Sequence, residues 1–138
     1  MFPSVLIASN FEDYSARLEQ GFESIGYQCH IARNGNHAVA LATSCLPDAI
    51  ILEARMSKRG GLLVVEYLRQ YTDINSLFFL ILEEESKRIE GYAELLGFER
   101  CFVKTTTCSA LVGTVDVLVK QLNKTTGRRI LDTEPTVG

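Results

Sequence analysis

The stretch PDAIILEARM, residues 47–56, sets an apolar run between a proline and a carboxylate, Glu53, with Arg55 just beyond it. Ala49 to Leu52 offer no polar position at all. A short run without alternation is the pattern of a strand covered on both faces, which is how strands lie inside a parallel sheet. The carboxylate that closes the run marks where the chain leaves the core.

Similar runs lie on either side, at Val5 to Ala8, Gln28 to Ala32, Leu77 to Leu82 and Cys101 to Val103. Between them the apolar period changes to that of a helix. Phe11, Tyr14, Leu18, Phe22 and Ile25 recur at spacings of three and four and predict one face of a helix ending near Gly26, with Asp13 and Arg17 one turn apart on it. Ala38, Ala42 and Cys45 mark a second helix stopped by Pro47, and Leu62, Val65 and Leu68 a third. Ile89, Tyr92, Ala93 and Leu96 mark a fourth closed by Gly97, and Leu111, Val115, Leu118 and Leu122 a fifth. Five strand-then-helix units imply an α/β fold: a single doubly wound parallel sheet with helices on both faces, because crossovers between parallel strands are almost always right-handed.

The bulk properties agree with one such domain. The chain has 138 residues, 46% hydrophobic and 22% charged, with a net charge of −3. That composition describes a globular protein with no basic field for nucleic acid. No apolar run approaches the ~18 residues of a membrane helix, and MFPSVLIAS lacks the basic start of a signal peptide, so the expected location is the cytoplasm, with no membrane partner. Cys29, Cys45, Cys101 and Cys108 show no metal-ligand or redox spacing and are expected as buried reduced thiols. His30 and His37 stand alone. From Lys124 the segment KTTGRRILDTEPTVG loses periodicity, so residues 1–123 are expected to form the domain and residues 124–138 a flexible tail or linker, where an output domain would follow in a longer protein.

In sheets of this kind ligands bind at the carboxyl ends of the strands. That rule selects Ser9 and Asn10 after the first strand, Glu53 after the third, Leu82 and Glu83 at the end of the fourth and Lys104 after the fifth.

In order and spacing, the segments SVLIASNFED, GYQCHIARNGNHAVALA, PDAIILEARM and LLGFERCFVK, with Gly61 and the last amphipathic helix, resemble the receiver domain of bacterial two-component response regulators over residues 4–122. The resemblance implies a flavodoxin-like (βα)5 sheet of strand order 2-1-3-4-5 and a place in signal transduction. In that family an aspartate at the end of strand three accepts phosphate, an acidic pair after strand one holds magnesium, and a Ser or Thr and a Lys hold the phosphoryl oxygens. The matching positions here are Glu53, Ser9 with Asn10, Leu82, and Lys104; an aromatic switch position is Cys101, and the proline after the lysine is Thr105.

These departures describe a pseudo-receiver. Mg²⁺ takes about six oxygens near 2.1 Å and is usually fixed by one or two carboxylates, whereas Ser9 and Asn10 offer neutral oxygens, so weak or absent Mg²⁺ binding, no other cofactor and no metal site are expected. Glu12 and Asp13, in the first turn of a helix, more simply complement its dipole. Glu53 carries its carboxylate ~1.5 Å further out than an aspartate would and is expected to pair with Lys104, imitating part of an activated state. The expected role is therefore a phosphorylation-independent module, not an enzyme and without a catalytic residue. It would dock a protein partner, or dimerise, through the fourth helix, fifth strand and fifth helix. The alternatives are a residual phosphoacceptor using Glu53 and, less well supported, a flavodoxin-like electron carrier; SNFEDYS has two carboxylates where a flavin phosphate would need small polar residues. A cysteine hydrolase built on Cys101 lacks a paired base in the sequence.

Overall fold

In the computed structural model, β3 (Ala49–Glu53) is buried at all five positions and lies at the centre of a five-stranded parallel sheet of order β2-β1-β3-β4-β5. Around it run β1 (Ser4–Ala8), α1 (Glu12–Glu23), β2 (Gln28–Ala32), α2 (Gly35–Cys45), α3 (Gly61–Tyr71), β4 (Leu77–Leu82), α4 (Lys87–Leu96), β5 (Phe98–Val103) and α5 (Cys108–Val137). The structure describes residues 2–137, with side chains through residue 123. The tail expected from Lys124 lies outside the residues whose side chains are described. No helix among the described residues is long and apolar enough to cross a membrane.

Because side chains alternate across a strand, each central strand feeds two cores. Leu6, Ile50, Leu52, Phe78 and Leu80 pack with Ala38 and Ala42 of α2, Val64, Val65 and Leu68 of α3 and Ala93 of α4. On the opposite face Val5, Ile7, Ile51, Phe79 and Ile81 pack with Tyr14, Leu18 and Phe22 of α1 and Leu111, Val112, Val115 and Val119 of α5. Each fully buried aliphatic or Phe side chain contributes about 1.5–3 kcal/mol.

The helix ends follow local chemistry. Asn34 caps α2 by accepting the His37 N–H at 2.9 Å, and Ser86 caps α4 by accepting that of Ile89 at 3.3 Å. Leu46 adopts a left-handed φ of 49° at the end of α2, where Pro47 disfavours the right-handed helical region for the residue before it. Gly97 closes α4 at φ 91°.

Several local expectations need correction. β5 begins at Phe98 rather than Cys101, because Glu99 and Arg100 are exposed on an edge strand and a register shift opposite Phe78/Phe79 breaks its pattern. α1 stops at Glu23, so Ile25 falls in an exposed turn, and Phe11 is the N-cap residue rather than part of the buried face. Tyr92 and Leu122 are also exposed. Arg17 stacks over Tyr14, with its guanidinium 5.9 Å from the ring centroid. The four cysteines are free but only half-buried: Cys29, Cys101 and Cys108 sit at the margin of a core, and Cys45 lies 3.7 Å from His30 Nδ1.

Gly61, the first residue of α3, lies so close to β3 that an added Cβ would sit 2.7 Å from the Glu53 carbonyl oxygen and 3.0 Å from Leu52 Cβ. Gly61→Ala is therefore expected to lower stability by about 1–3 kcal/mol, measured by urea denaturation.

Candidate functional site

Parallel strands end on the same side, so residues distant in sequence meet above β1, β3 and β5. Glu53, on the last position of β3, shares the face of Ile51 and is only 3% exposed. A carboxylate held from water needs a cation and hydrogen bonds. Lys104, just beyond β5 and fixed by its backbone N–H to the Leu82 carbonyl at 2.7 Å, places Nζ 2.9 Å from Glu53 Oε1. Ser9, buried after β1, donates its hydroxyl proton to Glu53 Oε2 and accepts the Phe11 N–H at 3.0 Å.

The ammonium of Lys104 has two further neighbours. Glu83 Oε1 lies 3.6 Å away, and the Phe11 ring centroid only 3.3 Å away, with that of Tyr14 at 5.1 Å. Phe11 thus covers the cation with its π face, a contact worth about 0.5–2 kcal/mol. The contacts close a ring: Glu53 to Ser9, Ser9 to the backbone of Phe11, the Phe11 ring to Lys104, and Lys104 back to Glu53. Phe11 and Tyr14 were legible in the sequence only as helix-face residues, because nothing local reveals that the fifth strand will bring a lysine against them.

The other positions selected from the sequence point elsewhere. Asn10 turns to neighbouring loops, donating to the Arg33 carbonyl at 2.7 Å and to Ser57 Oγ at 3.1 Å while accepting the Ser57 N–H at 3.2 Å. Leu82 enters the core beneath α2 to α4, and Cys101 packs against the same core, on the face opposite Glu53. Burial, and then Glu90, push the Cys101 thiol up. Glu12 reaches Arg33 at 3.7 Å.

The residues here do not fit a magnesium ion. The Ser9 proton points to Glu53, the Asn10 amide oxygen is taken by Ser57, and the buried carboxylate holds Lys104. Among the described residues no three His, Cys, Asp or Glu side chains converge as a metal site.

No protein-family model matches the chain. It is 31% identical over 124 residues to the transcriptional regulatory protein PrrA of Mycobacterium leprae, covering 89% of this chain and 52% of that protein. The chain spans about half the length of the curated relatives it matches. Among solved structures, the receiver domain of the Francisella response regulator 1452 superposes with a TM-score of 0.81 at 22% identity, over 87% of this chain and 98% of that one. The CheX–CheY–BeF3–Mg²⁺ complex of Borrelia burgdorferi gives a TM-score of 0.77 at 20% identity, over 84% and 88% of the two chains. The chain thus has the flavodoxin-like fold of CheY-like response-regulator receiver domains, and its sequence is similar to that of a transcriptional regulatory protein over most of this chain.

Two outcomes follow from the site. Lys104→Met, which strands the Glu53 charge, is expected to cost about 3 kcal/mol, and Glu53→Met with Lys104→Met clearly less, as a double-mutant cycle in urea would measure. The Tyr14 hydroxyl is buried without a hydrogen-bond partner among the described residues, and burial, reinforced by Cys108 and Glu53, pushes its pKa from 10.0 to about 12. Below pH 10 the phenol is protonated in both folded and unfolded chains; between 10 and about 12 only the unfolded chain ionises, so stability falls with rising pH. Tyr14→Phe should remove that slope and, by deleting an unpaired hydroxyl, gain about 1 kcal/mol at neutral pH, read from chemical denaturation across the pH range.

Proposed function

We propose that this receiver domain signals as a pseudo-receiver, through protein contact and without phosphorylation. The observation that carries the reading is that both oxygens of Glu53, at the phosphoacceptor position, are engaged, one by Lys104 and one by Ser9. Phosphoryl transfer depends on positioning and on cations that neutralise the moving charge. In this pocket Lys104 is committed to a resident carboxylate, and the two positions directly after β1 carry the neutral Ser9 and Asn10 in place of a magnesium-holding acidic pair. Glu53 therefore acts as an internal counter-charge for Lys104, maintaining one arrangement of the loop after β5 where a phosphorylated receiver would alternate between two. No cofactor is required for this role.

The contact surface in this reading is the α4–β5–α5 face, reached from the pocket through Lys104 and the adjoining chain of β5. It carries exposed Tyr92, Leu95 and Val117, beside the exposed carboxylates Glu83, Glu84 and Glu85 at its upper edge. A protein partner is in keeping with the Borrelia neighbour, whose CheY is bound to CheX. The chain would work in the cytoplasm.

Incubation with acetyl phosphate and Mg²⁺, followed by intact-mass spectrometry, is expected to leave the chain unmodified. A stable acyl phosphate on Glu53 would sink the reading and favour the residual phosphoacceptor.

A further inference from the structure

The outward face of α3 carries Leu63, Tyr67 and Tyr71, each one turn beyond the last and exposed by 55%, 36% and 64%. The two tyrosine rings lie 4.8 Å apart, so the stripe is continuous. Charged neighbours are drawn out of it. Arg69 folds inward to the Leu96 and Gly97 carbonyls and over Phe78, and Glu66 accepts the Tyr92 hydroxyl at 2.8 Å. An apolar stripe at this spacing is what one helix offers to another.

The charges at its two ends say which helix. Lys58 and Arg59 precede α3 and exposed Asp73 follows it, basic at the start and acidic at the finish. Within α3 the last turn carries Arg69, as the helix dipole favours, but that side chain is turned inward, and the flanking charges run the opposite way. Arg59 is nevertheless held on the stripe, its guanidinium 4.7 Å from the Tyr67 ring centroid, by a backbone at φ 116° that side-chain-bearing residues rarely adopt. Gly35 makes room for it: a Cβ there would lie 1.8 Å from the Arg59 carbonyl oxygen. A second α3 laid antiparallel about a two-fold axis at Tyr67 sets Leu63 against Tyr71 and brings Lys58 and Arg59 of each copy within a turn of Asp73 of the other. The stripe and its end charges are complementary to themselves.

We propose that α3 is a self-association face, on which two copies of this chain pair antiparallel, with Tyr67 and Tyr71 as anchors and the Arg59–Asp73 pairs setting the register. Aromatic anchors at the centre of an interface carry most of its energy, while rim charges mainly select orientation.

Sedimentation velocity of the full chain over a concentration series tests this. The wild type should show a monomer–dimer equilibrium, and Tyr71→Glu should weaken it by at least ~tenfold while circular dichroism stays unchanged. If Tyr71→Glu alters the fold, Tyr71→Ser should give the same weakening. Gln20→Glu, on exposed α1, should leave the equilibrium alone. Arg59→Asp should weaken association, and adding Asp73→Arg should restore it. A chain that stays monomeric at the highest concentrations, or a dimer disrupted by Leu95→Glu but not by Tyr71→Glu, overturns the proposal. A charge swap that fails to restore association overturns the antiparallel register.

Discussion

A carboxylate buried at the end of a central strand must be compensated, and most of the pocket is organised by that need. Desolvation makes an unpaired Glu53 costly, so Lys104 is drawn to it across the sheet from beyond β5, and Ser9 is committed to its second oxygen. The Ser9 hydroxyl then fixes the Phe11 backbone, and the Phe11 ring closes over the ammonium. One buried charge thereby joins the chain after β1, the end of β3 and the chain after β5. The net stability of such a pair is modest, since desolvation offsets much of the Coulomb attraction. Its larger effect is to define a single arrangement of three connections.

The sheet makes this possible by placing β3 between β1 and β4, with apolar layers on both sides. Strict alternation then divides the pocket. Glu53 follows Ile51 onto the α1/α5 side, while Leu82 follows Leu80 into the opposite core together with Cys101. Leu82 and Cys101 are thus packing residues. Their apolar and weakly polar side chains suit that environment and offer no hydroxyl to a phosphoryl oxygen.

The parallel β-α architecture was legible because its signals are local. The run from Ala49 to Leu52 has the pattern of a buried strand, Pro47 ends a helix by its backbone restriction and Gly97 by its freedom to turn left-handed, and Phe22 and Leu18 repeat with the helical period. The start of β5 was not legible, since an edge strand exposes Glu99 and Arg100 and loses the apolar pattern. Ile25 and Leu122 extended a helical period past the buried part of their helices, because periodicity does not report where the core ends. At the pocket, the positions could be chosen from strand ends, yet Asn10 proved to be a loop staple and Phe11 a cover for Lys104.

By itself the sequence determined the alternation of strands and helices and the chemical identity of the groups at the strand ends. Those properties reside in neighbouring residues and their periods. Only the tertiary structure decided which of these groups meet, because Ser9, Glu53 and Lys104 come from three connections whose order in the sheet differs from their order in the chain. It also decided which apolar residues remain outside: the stripe on α3 has the same residue types as a buried face, and only the packing of Val64, Val65 and Leu68 against the sheet turns Leu63, Tyr67 and Tyr71 toward solvent.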